Sequence, residues 1–255
     1  ITGNGLGESI RITLSNSRFL RPAIALVIAA IGVGNGAYQT GNFTGAVAGI
    51  TSVAGGTRWG WILLLAGLTT AMIWLGRYHV IRRVLVGLVV LLSLSFLFTA
   101  LLCFPDPTQV ARGLLVPTLS ADSLSLVIGL IGTTIVPYNL FLHASGAAAT
   151  WQGIDREQAL KQSRWDTVIS ISLGGVVTAA ILVTASSAFF DNRTAWVGTD
   201  QIADQLRPTL GKASGHAFAI GLFAAGLTSS ITAPLATAYA ICGCLGWRTH
   251  PSALS

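Results

Sequence analysis

Residues 129–143 read Gly129-Leu-Ile-Gly-Thr-Thr-Ile-Val-Pro137-Tyr-Asn-Leu-Phe-Leu-His143, an uncharged run with a proline in its middle. The run lies inside a longer apolar window, Ser123–Ala149, which is long enough to cross a hydrocarbon core about 30 Å thick. Pro137 has no backbone N–H to donate to the carbonyl of Thr133, so the pattern predicts a helix break. Irregular backbone survives at membrane depth only where it is buried in protein or lines a cavity. A simple proline kink remains the alternative to a binding site.

Polar side chains surround this predicted break, and they favour a site over a kink. They are the hydroxyls of Thr133 and Thr134, the amide of Asn139 and the imidazole of His143. In secondary transporters, such broken helices supply the ion or substrate site. A single intramembrane histidine is more often a structural or gating residue than a metal ligand, because ligating histidines come with partners at helical spacing.

The composition identifies the class of protein. Of 255 residues, 52% are apolar and 9% are charged, and the mean hydropathy is +0.69, whereas about a quarter of the residues in a soluble domain are charged. A soluble enzyme is excluded, and the scattered basic residues exclude a nucleic-acid partner. Windows of spanning length predict six transmembrane helices: Pro22–Ile50, Trp59–Leu75, Val84–Phe104, Ser123–Ala149, Thr167–Phe190 and Ala217–Leu245.

The charges in the loops predict the orientation of these helices. One set of alternate connections carries ten of the fifteen Lys and Arg residues. Because basic residues accumulate in short cytoplasmic loops, this set is predicted to be cytoplasmic, and the first complete helix then runs outward. The ends of the sequence, Ile1-Thr2-Gly3 and Ser255, are interpreted as cuts within a longer protein.

The first complete helix carries amide side chains and a glycine repeat. Asn35, Gln39 and Asn42 share one face, where they serve either interhelical hydrogen bonds or a hydrated pathway. Both interpretations stay open. Gly41, Gly45 and Gly49 recur every four residues, a spacing that favours close helix packing in lipid.

The chain resembles the Nramp family of divalent metal transporters along almost its whole length. Gly132–His143 is similar to the family's sixth helix, and the segment from Gly226 to Trp247 is similar to its eighth. The resemblance implies an all-α polytopic membrane protein, a leucine-transporter-type inverted-repeat bundle. Residues 1–255 then form one partial transporter domain, truncated at both ends and covering helices two (end) to eight.

The departures from the family pattern indicate a branch. Val136 replaces the family's metal-binding Met, and Tyr138 replaces the His after the proline. Gln39 and Asn42 stand where proton-coupled members carry two acidic residues. The pattern resembles the Nramp-related magnesium transporter branch, and a site without a thioether gives up discrimination against hard ions.

The resemblance also implies the roles of individual residues. We expect the carbonyl of Thr133 to contact the ion, directly or through water. The other expected metal-site residues are Thr134, Val136 and Asn139. Tyr138 is expected to line the site. A former proton route is expected to be lined by Gln39, Asn42 and His143.

The expected function is a secondary carrier that moves Mn²⁺ or Mg²⁺ toward the cytoplasm without proton coupling, and no enzyme activity. The alternatives are a proton-coupled Mn²⁺/Fe²⁺ transporter, a same-fold transporter of amino acids or other organic solutes, and a receptor-like member that binds without transport. No cofactor is expected beyond the transported ion. The expected setting is the bilayer of a bacterial plasma membrane, with the protein as a monomer.

Overall fold

The computed structural model describes residues 3–75, 79–102, 106–116, 123–134, 136–151, 153–187 and 203–247. Within these ranges the chain is helical and contains no strand. The helices are α1 (Leu6–Thr13), α2 (Leu20–Ala54), α3 (Arg58–Leu75), α4 (His79–Leu102), α5 (Pro107–Leu115), α6 (Leu124–Thr134), α7 (Pro137–Thr150), α8 (Arg156–Ala185) and α9 (Ser214–Leu245). Short helical turns at Ala203–Leu206, Arg207–Leu210 and Gly211–Ala213 lead into α9.

Five helical stretches of the described chain are long and apolar enough to span a membrane: Leu20–Ala54, Arg58–Leu75, Leu124–Ala148, Arg156–Ala185 and Gly211–Leu245. A shorter apolar helix, Val86–Leu102, lies within α4. The protein is therefore an all-α polytopic membrane protein, as the composition predicted. Phe104 and Phe190, two of the predicted span ends, lie outside the described residues.

The helices of the structure extend beyond the predicted spans where polar residues continue them. The predicted span Thr167–Phe190 belongs to α8, which begins eleven residues earlier at Arg156. The carboxylate of Asp155 accepts hydrogen bonds from the backbone N–H groups of Glu157 and Gln158, at 3.0 and 3.5 Å, and so caps the helix. A search for uncharged windows excludes this turn because it is charged.

Helix α9 is the centre of the bundle. In its most apolar window 44% of residues are buried, against 11–18% in the other spans. It runs antiparallel to α2, since Gly226 meets Asn42 and Ala46 while Gly49 meets Ala219 and Phe223. A Cβ atom on Gly226 would lie 2.5 Å from the carbonyl oxygen of Asn42, and one on Gly49 would lie 2.5 Å from that of Ala219. These two glycines therefore permit the backbones to approach closely.

The predicted glycine repeat takes part in this contact to different degrees. Gly49 touches the α9 backbone, and a Cβ on Gly45 would meet a Leu222 methyl group at 3.7 Å. Gly41 has nothing within 4 Å of its Cβ position in the described chain. The close approach thus depends on Gly49 and on Gly226 of the opposite helix, which the repeat alone does not identify.

Other helices pack around α9. Ala46, Val47, Leu65, Ala224 and Leu227 form a buried core between α2, α3 and α9. At the far end, α1 reaches α9 through Gly7, whose Cβ position lies 2.8 Å from the Ala240 carbonyl oxygen. Gly246 ends α9 in the left-handed conformation, with φ of 73°, as expected of a residue that follows a helix end.

Candidate functional site

The helix that contains Pro137 is interrupted in the structure. Helix α6 ends at Thr134 and α7 begins at Pro137, while Val136 between them is extended, with φ of −83° and ψ of 121°. Pro137 takes the first position of α7, where its missing N–H would have no helical partner. The backbone N–H of Asn139 donates to the carbonyl of Val136 at 3.0 Å, which closes the first turn of α7.

The end of α6 supplies carbonyl oxygens at this interruption. The last four carbonyls of any helix lack intrahelical donors, and in α6 these belong to residues 131–134. The side chains of Thr133 and Thr134 are exposed, and both hydroxyls donate back to the Leu130 carbonyl at 2.8 Å. Each hydroxyl oxygen keeps lone pairs that can accept a bond or ligate a cation.

Two residues of the α6–α7 segment are buried against the rest of the bundle. Val136 and Tyr138 pack with Ala233 and Ala236 of α9, and Tyr38 and Leu142 lie at the edge of this cluster. The rings of Tyr38 and Tyr138 meet edge to face, with centroids 6.1 Å apart and planes at 76°. Asn139 and Pro137 are exposed. Val136 thus holds an apolar side chain inside a packed cluster.

The amide face of α2 points toward α9. Gln39 donates from Nε2 to the carbonyl of Ser230 at 3.0 Å, and Asn35 donates to the hydroxyl of Thr237 and, at 3.5 Å, to the carbonyl of Ala233. Asn42 donates to the side-chain oxygen of Gln39 at 3.3 Å. Asn35 and Gln39 therefore make interhelical hydrogen bonds, the structural interpretation that the sequence left open.

The Ser230 carbonyl, which accepts the hydrogen bond from Gln39, lies in the turn of α9 that precedes a proline. Ser230 lies four residues before Pro234, which is inside α9, and in a regular helix its carbonyl would accept from residue 234. Proline has no N–H, so this carbonyl depends on another donor. Ser230 is fully buried, and its own hydroxyl donates to Leu227 instead. Gln39 supplies the donor from the neighbouring helix.

His143 lies apart from the other predicted pathway residues. It is exposed on α7, and its Nε2 lies 3.3 Å from the hydroxyl oxygen of Thr167 on α8. Gln39 and Asn42 instead bond to α9 and to each other. The structure therefore brings Val136 and Tyr138 together near α2, and places His143 toward α8.

Sequence reasoning missed Tyr38 as a residue of the site. Its hydroxyl donates to the carbonyl of Gly132 at 2.7 Å, and so joins α2 to the end of α6. The sequence contained one indication of this role, because Tyr38 is next to Gln39 on the helix that carries the amide face. The acceptor could not be found in this way, since Gly132 has no polar side chain to mark it.

The donors at the break are oxygens. Within the described ranges, no group of three or more His, Cys, Asp or Glu residues could hold a metal ion. The chain's one methionine, Met72, packs against Ile231 in the α3–α9 core. Carbonyl, hydroxyl and amide oxygens are the groups that hard cations such as Mg²⁺ and Mn²⁺ accept.

In the described chain, apolar helices of spanning length form a bundle, and one of them is interrupted beside carbonyls that lack a helical donor, a feature that is also found in secondary transporters. Comparison with known proteins identifies the family. The family described as "Natural resistance-associated macrophage protein-like" (Nramp) matches residues 1–255, and the chain belongs to it. The chain is also similar to the divalent metal cation transporter MntH of two Klebsiella pneumoniae strains, ATCC 700721 / MGH 78578 and 342.

The extent of this similarity is the same for the two relatives. Each is 28% identical over an alignment of 239 residues, and the match covers 92% of this chain and 56% of the relative. The chain therefore spans about half the length of the curated relatives it matches. The match confirms the Nramp resemblance drawn from the sequence motifs.

Proposed function

We propose that this chain is part of a carrier that moves divalent metal ions, Mg²⁺ or Mn²⁺, across a bacterial plasma membrane toward the cytoplasm, without proton coupling. The observation that carries the proposal is the interruption between α6 and α7, where the last carbonyls of α6 have no helical donor. Membership of the Nramp family and similarity to two MntH transporters support a divalent metal ion as the cargo.

The chemistry of the interruption supports hard cations. The carbonyl of Thr133 is the proposed ligand, directly or through water, because Pro137 cannot bond to it. Thr134, Val136 and Asn139 are the other proposed residues of the site, and Tyr138 borders it. Mg²⁺ prefers oxygen ligands and keeps several waters, and Asn139 is exposed and carries an amide that can hydrogen-bond to water. A soft thioether, which would favour transition metals, is absent from this segment.

The absence of carboxylates on α2 supports a carrier that does not couple to protons. Helix α2 contains neither Asp nor Glu. Gln39 and Asn42, which stand at the family's acidic positions, bear amides that neither gain nor lose a proton at physiological pH. The excess of basic residues on one set of loops supports a cytoplasmic position for those loops.

The test uses the full-length protein that contains this chain, reconstituted in liposomes. Entry of Mg²⁺ and Mn²⁺ is recorded together with internal pH, with and without an imposed proton gradient. We expect entry of both ions without internal acidification. Mn²⁺ entry that excludes Mg²⁺ and brings in protons would identify a proton-coupled Mn²⁺/Fe²⁺ transporter. Metal binding without flux would identify a receptor, and uptake of an organic solute alone would identify a solute carrier.

A pair of variants tests the site itself. Asn139→Ala removes an exposed amide beside the break, and we expect it to lower the flux of both ions. Gln158→Ala removes an exposed amide from the first turn of α8, far along the chain from the break, and serves as the matched control. Equal flux in the two variants would place the ion elsewhere.

A further inference from the structure

Tyr38 joins three elements of the bundle. It lies on α2, its hydroxyl donates to the Gly132 carbonyl of α6 at 2.7 Å, and its ring meets the edge of Tyr138 on α7. The two contacts lie on either side of the interruption. One tyrosine therefore holds the end of one half-helix and the beginning of the next.

Helix α6 has few other attachments in the described part of the chain. None of its residues is buried, and Leu126 and Ile128 are 75% and 62% exposed. The hydroxyls of Thr133 and Thr134 bond within the helix. Among the described residues, Tyr38 is the one side chain from another helix that hydrogen-bonds to α6.

Helix α2, by contrast, is firmly held against α9 around Tyr38. Gln39 and Asn35 donate to α9, and Gly226 brings the two backbones together one turn further along. The Tyr38 hydroxyl thus joins the closely packed α2–α9 pair to a helix that has no buried residue. This bond is separate from the hydrogen bonds that join α2 to α9.

We propose that Tyr38 is a positioning residue that fastens α6 to the α2–α9 pair in one conformation of the carrier and releases it in another. This inference rests on the proposed function, because a carrier of this type works by moving its broken helices against a fixed scaffold. The Gly132 carbonyl is suited to such a reversible bond, since it lies at a helix end in a partly exposed residue, where water can replace the Tyr38 hydroxyl.

The test measures the distance between α2 and α6 in the full-length protein in nanodiscs. Spin labels on Val33→Cys and Ile128→Cys, two exposed positions, report this distance by pulsed electron paramagnetic resonance, with the native cysteines replaced by alanine. We expect Tyr38→Phe, which keeps the ring and removes the hydroxyl, to lower the ratio of the short-distance to the long-distance population about fivefold. Among the described residues, the Thr40 hydroxyl bonds only to Gly36 of its own helix, so Thr40→Val should leave the ratio unchanged.

Two results would overturn the inference. One is that the Tyr38→Phe protein has the same ratio of short-distance to long-distance populations as the Thr40→Val protein, or that every variant shows one and the same distance. The other is a shift caused by Tyr138→Leu but not by Tyr38→Phe, which would assign the attachment to the ring contact. Metal flux is measured in parallel. Tyr38-dependent distances without flux would contradict the proposed function alone, whereas flux with unaltered distances would contradict the Tyr38 inference alone.

Discussion

The hydrogen bond from Gln39 to Ser230 leads to a quantitative prediction. Gln39→Leu keeps the approximate volume of the side chain but removes the N–H group that donates to the Ser230 carbonyl from α2. This acceptor belongs to a fully buried residue, and Pro234 gives it no helical donor. An unpaired buried acceptor costs about 1–3 kcal/mol, so we expect Gln39→Leu to lower the free energy of unfolding by this amount.

The same reasoning predicts that a second substitution removes the cost. Pro234→Ala restores a backbone N–H that donates to Ser230 within α9. In this background Gln39→Leu leaves no unpaired acceptor at Ser230, and its cost should fall by about 1–2 kcal/mol, the remainder coming from the lost bond of Asn42 to Gln39. The double-mutant cycle should therefore give a coupling free energy of about 1–2 kcal/mol between positions 39 and 234.

The measurement is reversible unfolding of the full-length protein in mixed micelles, for the four members of the cycle. Asn35→Leu is the matched control, since it also removes an amide that bonds to α9. Its acceptors are the Thr237 hydroxyl and the Ala233 carbonyl, and the helical donor expected for that carbonyl, the N–H of residue 237, is not a proline's. Coupling of Asn35→Leu to Pro234→Ala should therefore be under about 0.5 kcal/mol. Equal costs of Gln39→Leu in both backgrounds would refute the claim that Gln39 satisfies a carbonyl freed by proline.

Three further predictions concern packing, capping and ion choice. Gly226→Ala places a Cβ atom 2.5 Å from the Asn42 carbonyl oxygen and should lower the free energy of unfolding by about 1–3 kcal/mol. Gly41→Ala, which has open space around it in the described chain, should change this free energy by less than about 0.5 kcal/mol. Equal unfolding free energies of the two variants would contradict the close contact of α2 and α9 at Gly226. Asp155→Ala removes the cap of α8 and should cost about 1 kcal/mol in a thermal unfolding assay, and an unchanged melting temperature would show that the cap is dispensable. Val136→Met should raise the ratio of Mn²⁺ to Mg²⁺ flux in liposomes, because a thioether favours the softer ion, and an unaltered ratio would place residue 136 outside the ion's reach.

Features that depend on a single helix could be predicted from the sequence. Apolar windows predicted membrane-spanning helices, because the bilayer fixes their length, and five stretches of the described chain are long and apolar enough to span. Pro137 indicated where a helix would be interrupted, because the missing N–H acts within one turn. The charged beginning of α8 was missed for a related reason: a helix can continue into water, where charged residues cost nothing and Asp155 caps it.

Contacts between helices were harder to predict from the sequence. Helical spacing placed Asn35, Gln39 and Asn42 on one face but could not say which helix they meet, since Gln39 and Ser230 are 191 residues apart. The glycine repeat likewise indicated a close approach without showing that Gly41 remains open. The bond from Tyr38 to a backbone carbonyl has no side-chain signature at its acceptor. Each of these contacts depends on the crossing geometry of two helices, which neither sequence segment encodes alone.

The donor at position 39 links the packing of the bundle to the proposed independence from protons. An amide donates its N–H at any physiological pH, so the bond to the Ser230 carbonyl persists whatever the proton concentration. A carboxyl group at this position could donate to the Ser230 carbonyl only while it is protonated. As a carboxylate it would bring a second acceptor oxygen against the carbonyl oxygen, and no hydrogen bond would form. Helix contact and proton binding would then be a single event. With Gln39, α2 and α9 stay joined without a proton, and a cycle that moves α6 against them has no protonation step at this contact.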